Sequence, residues 1–212
     1  FTTLDKSLIA LQGQHAESVL HNLGYATAAS YMTMQTHGDI FISRLGYTGE
    51  DGFEISLPNN QAADLWYKIL QNNLVKPVGL GARDSLRLEM GYPLYGHDIT
   101  DFTTPLNASL GWIIDKAKKD KFPIPTIKRV GIYIEDKAIV REGAHIFDEN
   151  ENKIGHITSG GFSPTLQRPI AQGYVDINFA KPNTPVQVEL RGKKITAKTN
   201  NLAFVQPKTK KN

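Results

Sequence analysis

The sequence lacks cysteine, long apolar runs and a strong excess of charge of either sign. Its 212 residues include no cysteine, which excludes disulfides, thiolate-bound zinc, iron–sulfur clusters and thiol nucleophiles. The apolar stretch from Leu106 to Ile114 is interrupted by Asn107 and Ser109, and it is far shorter than the roughly 20 apolar residues that cross a bilayer. We therefore predict a protein without a membrane span whose chemistry does not depend on thiols.

Neither the histidines nor the basic residues form a pattern that binds a metal or a nucleic acid. No two of the six histidines have the H-x-x-x-H spacing that places two imidazoles on one helix face. The net charge is +3, and much of the excess lies in the tail Lys208-Thr209-Lys210-Lys211-Asn212, which is typical of a solvated terminus. We expect no metal and no nucleic acid partner, because nucleic acid binding needs a broader basic face with interleaved aromatic residues.

The first part of the chain mixes helix and strand patterns. Apolar residues at helical spacing predict helices over Gln12 to Asn22, Asn60 to Leu70 and Ala82 to Met90. Patterns of period two, bounded by turn residues, predict strands over Tyr31 to Thr36, Ile40 to Leu45 and Gly52 to Leu57. Helices that follow strands in this way predict an α+β region with an antiparallel sheet.

The second part of the chain reads as a separate, β-rich domain. A lysine-rich run followed by Pro123 and Pro125 indicates a linker at 116–127. Beyond it, short strand patterns separated by turn residues predict a small antiparallel β-barrel over 128–212. Within that region, Thr158 to Pro164 is predicted to be a flexible loop, and it lacks the G-x-S-x-G order of a serine hydrolase.

The segment from Gly46 to Ile55 contains three glycines and three carboxylates. Glu54 alternates with Phe53 and Ile55, so its carboxylate should face away from their apolar side chains. A carboxylate in that position can accept two parallel hydrogen bonds from a planar donor pair, such as the ring N–H and amine of a pterin or guanine. A solvated acidic turn is the alternative interpretation.

The segment Gly79-Leu80-Gly81-Ala82-Arg83-Asp84 begins like a dinucleotide-binding fingerprint but carries Asp84 where the third glycine belongs, which argues against a nicotinamide site. Arg83 and Arg87 are four residues apart and should share a helix face. We interpret Arg87 as part of a structural ion-pair lattice. Arg83 lies next to the glycines, where backbone can approach a ligand, and is the better candidate to bind an anion or a heterocycle.

Five segments in this order resemble successive signature segments of the glycine-cleavage aminomethyltransferases. They are Ile9–Ala16, Gly46–Ile55, Gly79–Gly91, Tyr95–Ile99 and Gly155–Gly160. An ordered set spread over nearly the whole chain is far more specific than one motif. The chain is therefore identified as a member of this family, resembling its carboxy-terminal three-fifths or so.

The resemblance implies a fold and a reaction. It implies a three-domain cloverleaf around folate, of which residues 1–115 would be an N-terminally incomplete part. The reaction is transfer of an aminomethyl carbon from the lipoyl arm of the H-protein to tetrahydrofolate, giving methylenetetrahydrofolate and ammonia. Glu54 matches the family's pterin-binding glutamate, Arg83 the arginine of the A-R-D segment, and Tyr92 a folate-binding position that varies among relatives. Tetrahydrofolate is a co-substrate, no metal is implied, and the resemblance favours ligand binding by Glu54 and Arg83.

Two departures from the family pattern affect what this chain can do. The family's catalytic aspartate lies in a G-G-x-x-D-D type segment upstream of the Gln12-Gly13 region, and no such segment occurs here. We expect that aspartate to lie upstream of Phe1, so no catalytic residue is predicted within this chain, which is expected to be inactive alone. Many relatives also end in an aromatic pair where this chain has the lysine-rich tail.

Two alternative hypotheses about function remain. The chain could be the folate-binding one-carbon acceptor domain of a dimethylglycine or sarcosine dehydrogenase, which shares the fold. A noncatalytic RNA-binding barrel at 128–212 is a second alternative. The iron–sulfur-maintenance branch of the family requires a cysteine in its K-G-C-Y-x-G-Q-E motif and is disfavoured. Membership of the family implies that the protein is located in the cytoplasm if the source is bacterial, or in the mitochondrial matrix if it is eukaryotic. We favour the bacterial cytoplasm.

Overall fold

The computed structural model describes residues 2–210. The described residues form two compact units, one comprising residues 2–83 and 207–210 and the other residues 84–206. Each unit has its own cluster of buried apolar side chains. No helix among the described residues is long and apolar enough to span a membrane.

The first unit is a four-stranded antiparallel sheet with helices. The strand order is β1-β4-β3-β2. The elements are β1 (Lys6–Gln12), α1 (Ala16–Asn22), β2 (Met34–His37), β3 (Ile40–Ser43), β4 (Gly52–Pro58) and α2 (Asn59–Leu70), and α3 (Leu80–Glu89) begins in this unit. The sheet therefore contains the predicted meander of three strands with β1 added beside β4.

Alternation along β4 determines which face of the sheet is buried. Phe53 and Ile55 are fully buried, and they share one core with Leu20 of α1 and Leu65 of α2. Glu54, between them, is only half-buried. Full burial of each such apolar side chain contributes about 1.5–3 kcal/mol, so this face fixes the register of β4 and directs Glu54 to the opposite face.

The second unit contains a closed antiparallel barrel with strand order β10-β5-β8-β7-β6-β9. The strands are β5 (Ile127–Ile134), β6 (His145–Phe147), β7 (Lys153–Ser163), β8 (Arg168–Asp176), β9 (Pro185–Leu190) and β10 (Lys193–Asn200). The fold class predicted from the sequence, α+β with a carboxy-terminal antiparallel β-barrel, is confirmed. The division at 116–127 stays a prediction; a 3₁₀ helix at Lys116–Lys121 occupies part of that stretch.

The prediction of a flexible loop at Thr158 to Pro164 is wrong, because β7 continues through Gly160 and Gly161 to Ser163. The strand is irregular where the pairing with β8 shifts between Ile157 and Ser159. A Cβ atom at Gly160 would lie 2.1 Å from the carbonyl oxygen of Val140. Glycine is needed here for a close backbone approach rather than for flexibility.

Candidate functional site

The turn at residues 46–52 leads into β4 and is organised by Gln12, at the end of β1. The Gln12 side-chain amide donates hydrogen bonds to the carbonyl oxygens of Leu45 (3.1 Å) and Phe53 (3.3 Å), on either side of the turn. Its amide oxygen accepts a hydrogen bond from the Thr48 hydroxyl at 3.0 Å. One half-buried amide thus holds the entry, the middle and the exit of the turn.

The glycines of this turn are required by close contacts. A Cβ atom at Gly52 would lie 2.6 Å from the carbonyl oxygen of Leu11, a backbone atom that cannot easily move. Gly49 has φ +79°, a backbone conformation that residues with a Cβ rarely adopt. The backbone of this segment is therefore tightly constrained beside β1.

Arg44 anchors the turn electrostatically. Its side chain is 3% exposed and its guanidinium pairs with Asp51 (2.6 Å) and Glu17 (3.1 Å). It also donates to the carbonyl oxygen of Thr27 at 3.0 Å. The hydrogen bond with Asp51 is the largest cause of a raised Arg44 pKa, so this guanidinium stays charged and the Asp51 carboxylate is committed to a structural pair.

Glu54, the last carboxylate of this segment, has no structural ion pair of this kind within the part of the chain that the structure describes. Its strand neighbours across the sheet are Ala10 and Ser43. Among residues 2–210 its carboxylate accepts no hydrogen bond and forms no ion pair, although the residue is half-buried. Both carboxylate oxygens therefore keep their full capacity to accept hydrogen bonds.

Arg83 lies in the exposed first part of α3. Its guanidinium carbon lies 4.6 Å from the centroid of the Tyr47 ring, a cation–π contact with the turn that precedes β4. No carboxylate in the described part of the chain pairs with it. The turn thus leads directly to Glu54 and supports Arg83 through Tyr47, although Glu54 and Arg83 form no ion pair or hydrogen bond with each other among the described residues.

The surface around Arg83 is open in this chain. Every residue from 76 to 84 is exposed, including Val78 (64% exposed) and Leu80 (83% exposed). Apolar side chains this exposed on a helix start are typical of surfaces that contact another polypeptide or a ligand.

Arg87 has the structural role that its spacing indicated. It is buried in the second unit, and its guanidinium pairs with Asp84 and Asp98, each at 2.7 Å. The Ser159 hydroxyl accepts a further hydrogen bond at 3.0 Å. Arg87 thus differs from Arg83, one helical turn earlier, in being fully satisfied by the protein.

Tyr92 follows α3 in the second unit, where its backbone is held in place. Its N–H donates to the Arg87 carbonyl oxygen at 2.9 Å. Its own carbonyl oxygen accepts from the side chains of Arg87 (3.4 Å) and Gln172 (3.3 Å). The position of Tyr92 therefore depends on the buried polar network around Arg87.

Asp98 is the centre of that network and is completely buried. One carboxylate oxygen accepts from Arg87 and Gln172, each at 2.7 Å, and from the Leu94 N–H at 2.8 Å. Ser159 donates to the same oxygen at 2.9 Å, and Thr158 donates to the other oxygen. These hydrogen bonds tie the segment after α3 to the barrel strands.

Sequence reasoning missed three residues that shape this region: Gln12, Arg44 and Tyr47. Gln12 and Tyr47 lie inside segments that carried the family resemblance, so their inclusion there was the available signal. Arg44 follows a strand of alternating pattern, and only its burial identifies it. No group of three potential metal ligands occurs in residues 2–210.

Comparison with known proteins places these features in a family. The family described as "GCVT N-terminal domain" matches residues 2–118, and "Glycine cleavage T-protein C-terminal barrel domain" matches residues 128–206. The crystal structure of a glycine cleavage system aminomethyltransferase T from Bartonella henselae superposes with a TM-score of 0.90 at 42% identity, covering 96% of this chain and 61% of that one.

Similar proteins also occur among sequences with assigned names. A mitochondrial aminomethyltransferase of Dictyostelium discoideum is 42% identical over 98% of this chain and 58% of its own length. An aminomethyltransferase of Chlorobium phaeovibrioides is 40% identical over 95% of this chain and 60% of its own length. The chain thus spans about three-fifths of the relatives that it matches.

Proposed function

The chain belongs to the glycine cleavage T-protein family of aminomethyltransferases, and from this premise we propose that it forms part of a tetrahydrofolate-dependent aminomethyltransferase. In this proposal the aminomethyl carbon passes from the lipoyl arm of an H-protein to tetrahydrofolate, and the products are methylenetetrahydrofolate, ammonia and the dihydrolipoyl carrier. The chain spans about three-fifths of its relatives, so the activity is proposed for a complete protein and this chain alone is expected to be inactive.

The observation that carries the proposal is the state of Glu54. A half-buried carboxylate without an ion pair or a hydrogen bond among the described residues pays for partial desolvation with no gain to the fold. Two oxygens in one plane match the ring N–H and amine of a pterin. We therefore assign Glu54 to recognition of the pterin of tetrahydrofolate.

Arg83 and Tyr92 are the other proposed folate-binding residues. Arg83 is exposed and rests on the ring of Tyr47, which leaves its guanidinium N–H groups available to a carbonyl oxygen or an anion. Tyr92 has its backbone fixed by Arg87 and Gln172, so its side chain can be presented in a defined direction. Each of the two residues is supported by a second residue of its own unit.

The chemistry needs orientation more than covalent catalysis. When bound, tetrahydrofolate supplies its N5 nitrogen as the nucleophile that accepts the carbon. The residues of this chain would bind and orient the pterin, shelter it from water and leave proton transfer to another group. We place the catalytic aspartate outside this chain, in the part of the relatives that it does not span. No metal takes part in the proposed reaction.

The proposed partners and location follow from the same family membership. The protein partner is a lipoylated H-protein and the small-molecule partner is tetrahydrofolate, with no role for a membrane or a nucleic acid. The proposed site of action is the bacterial cytoplasm, or the mitochondrial matrix if the source is eukaryotic.

Calorimetric titration with tetrahydrofolate tests the assignment of Glu54. The titration compares this chain with a form extended by the part of its relatives' length that it does not span. In whichever form binds, Glu54→Gln should weaken binding by about 1–3 kcal/mol, because it removes a charge-assisted bidentate pair. Glu149→Gln, an exposed barrel-turn residue, is the matched control and should leave affinity unchanged.

The outcomes separate three cases. Binding by the extended form alone would mean that the pocket is shared with residues outside this chain. Binding by both would mean that the chain holds a self-sufficient folate site. Binding by neither, or equal affinity of wild type and Glu54→Gln, would overturn the folate assignment.

A further inference from the structure

Residues 208–210 of the lysine-rich tail, which the proposed reaction does not use, lie against the turn at residues 46–52 and the adjoining Glu17 within the first unit. The Lys208 N–H donates to the Gly49 carbonyl oxygen at 2.7 Å, and Lys208 pairs with Glu50 as an isolated parallel β-bridge. The Lys208 ammonium lies 3.0 Å from a Glu50 carboxylate oxygen. Lys208 therefore holds the turn through its backbone and through its side chain.

Lys210 reaches the same turn by a second route. Its ammonium lies 2.8 Å from a Glu17 carboxylate oxygen, and the same oxygen lies 3.1 Å from Arg44. Arg44 in turn pairs with Asp51 of the turn. The side chains of Lys210, Glu17, Arg44 and Asp51 thus form a series of ion pairs in which positive and negative charges alternate.

The electrostatics of Glu17 agree with this arrangement. The hydrogen bond from Lys210 is the largest cause of a lowered Glu17 pKa, and the hydrogen bond from Arg44 is the next. Without Lys210, Glu17 would keep only the Arg44 contact. The tail lysine thus has a local effect on a residue that belongs to the Arg44 network.

We infer that Lys208 and Lys210 are positioning residues that fix the turn at residues 46–52, and with it the Tyr47 ring that supports Arg83. The turn carries Tyr47 at one end and leads into β4, where Glu54 follows, at the other. Exposed ion pairs are weak singly, but here two of them and a backbone hydrogen bond act on one short turn. The inference deepens the proposed function, on which its consequence for folate rests.

The first test reads the turn itself and needs no ligand. Amide exchange resolved by NMR would follow two amides that the turn protects, Gly13, which donates to Asp51, and Glu50, which donates to Thr48. In the double variant Lys208→Met/Lys210→Met both should exchange about two- to five-fold faster, the range for loss of exposed ion pairs. The Arg83 side-chain resonances should also lose part of their ring-current shift from Tyr47.

Three controls make the test specific. Lys137→Met removes an exposed barrel lysine and should change neither amide exchange nor the Arg83 resonances. Lys208→Arg should retain the pairing with Glu50, and its amides should exchange at the wild-type rate. Wild-type protein in 1 M salt, where the Debye length is about 3 Å, should approach the double variant.

The second test measures the consequence for the ligand. In the form that binds tetrahydrofolate, the double variant should weaken affinity about two- to five-fold at low salt, while the urea midpoint stays near that of Lys137→Met. Unchanged amide exchange and Arg83 resonances would overturn the inference, and so would faster exchange with unchanged affinity. If the exchange response occurs but no form binds tetrahydrofolate, the proposed function fails and the positioning of the turn is supported.

Discussion

Replacement of Asp98 by asparagine should strongly destabilise the second unit. The substitution keeps the size of the side chain but removes its charge, and it places an NH2 donor where the carboxylate now accepts from several donors. Arg87, also buried, would lose one of its two carboxylate partners. The test therefore isolates the value of one buried charge in a packed network.

The expected cost can be worked out from these contacts. Removing one partner of a buried ion pair costs about 3–5 kcal/mol, and a donor that faces other donors adds about 1–3 kcal/mol. Asp84 stays on Arg87 and offsets part of this loss. We expect a net loss of about 3–5 kcal/mol, a large part of the roughly 5–15 kcal/mol that stabilises a typical domain.

Urea unfolding, monitored through the exchange of amides in the barrel strands, measures the stability of the second unit separately from that of the first. Asp84→Asn is the matched control, because Asp84 pairs with the same arginine but has a side chain 56% exposed. That variant should lose at most about 1 kcal/mol. Equal losses for the two variants would refute the view that burial of Asp98 decides the energy, and so would a loss below about 1 kcal/mol for Asp98→Asn.

Two further predictions concern packing and protonation. Gly160→Ala should lower the free energy of unfolding by about 1–3 kcal/mol or more, since the new Cβ would lie 2.1 Å from a backbone oxygen. Gly81→Ala, with open space around the new Cβ, is the control and should be neutral or slightly stabilising. Melting temperatures of the two variants test these expectations. Partial desolvation, together with repulsion from Lys153 and His145, lowers the pKa of His156. The unfolded chain therefore takes up the proton first, and stability should fall modestly as pH drops below about 6.5. His156→Gln should flatten that decline in urea midpoints measured from pH 5 to 8, and an unchanged slope would contradict the assignment.

The fold was predictable where local pattern and packing agree. The alternation of Phe53, Glu54 and Ile55 predicts β4, and the observed burial follows it. β1 was not predicted, because Gln12 was placed at the start of a helix, whereas the strand runs to Gln12 and α1 starts at Ala16. Gly13, with φ +117°, is the residue that separates the two elements, and a glycine there was the available sign of a break.

The supports of the candidate site were not predictable in the same way. Tyr47 under Arg83 and Lys208 on Glu50 are contacts between residues far apart in the chain. Local periodicity describes which face of an element is apolar, but it carries no information about which charged side chains meet. The sequence therefore predicted a solvated terminus for the lysine-rich tail, although two of its lysines form ion pairs.

The three carboxylates of the segment Gly46 to Ile55 show how structure separates residues that sequence treats alike. Asp51 neutralises the buried Arg44 and Glu50 pairs with Lys208, so each has a structural reason to be acidic. Glu54 has none among residues 2–210, and its half-buried position makes an unpaired charge costly. The absence of a structural partner for Glu54 among the described residues is what supports our proposal that a ligand donates two hydrogen bonds to it.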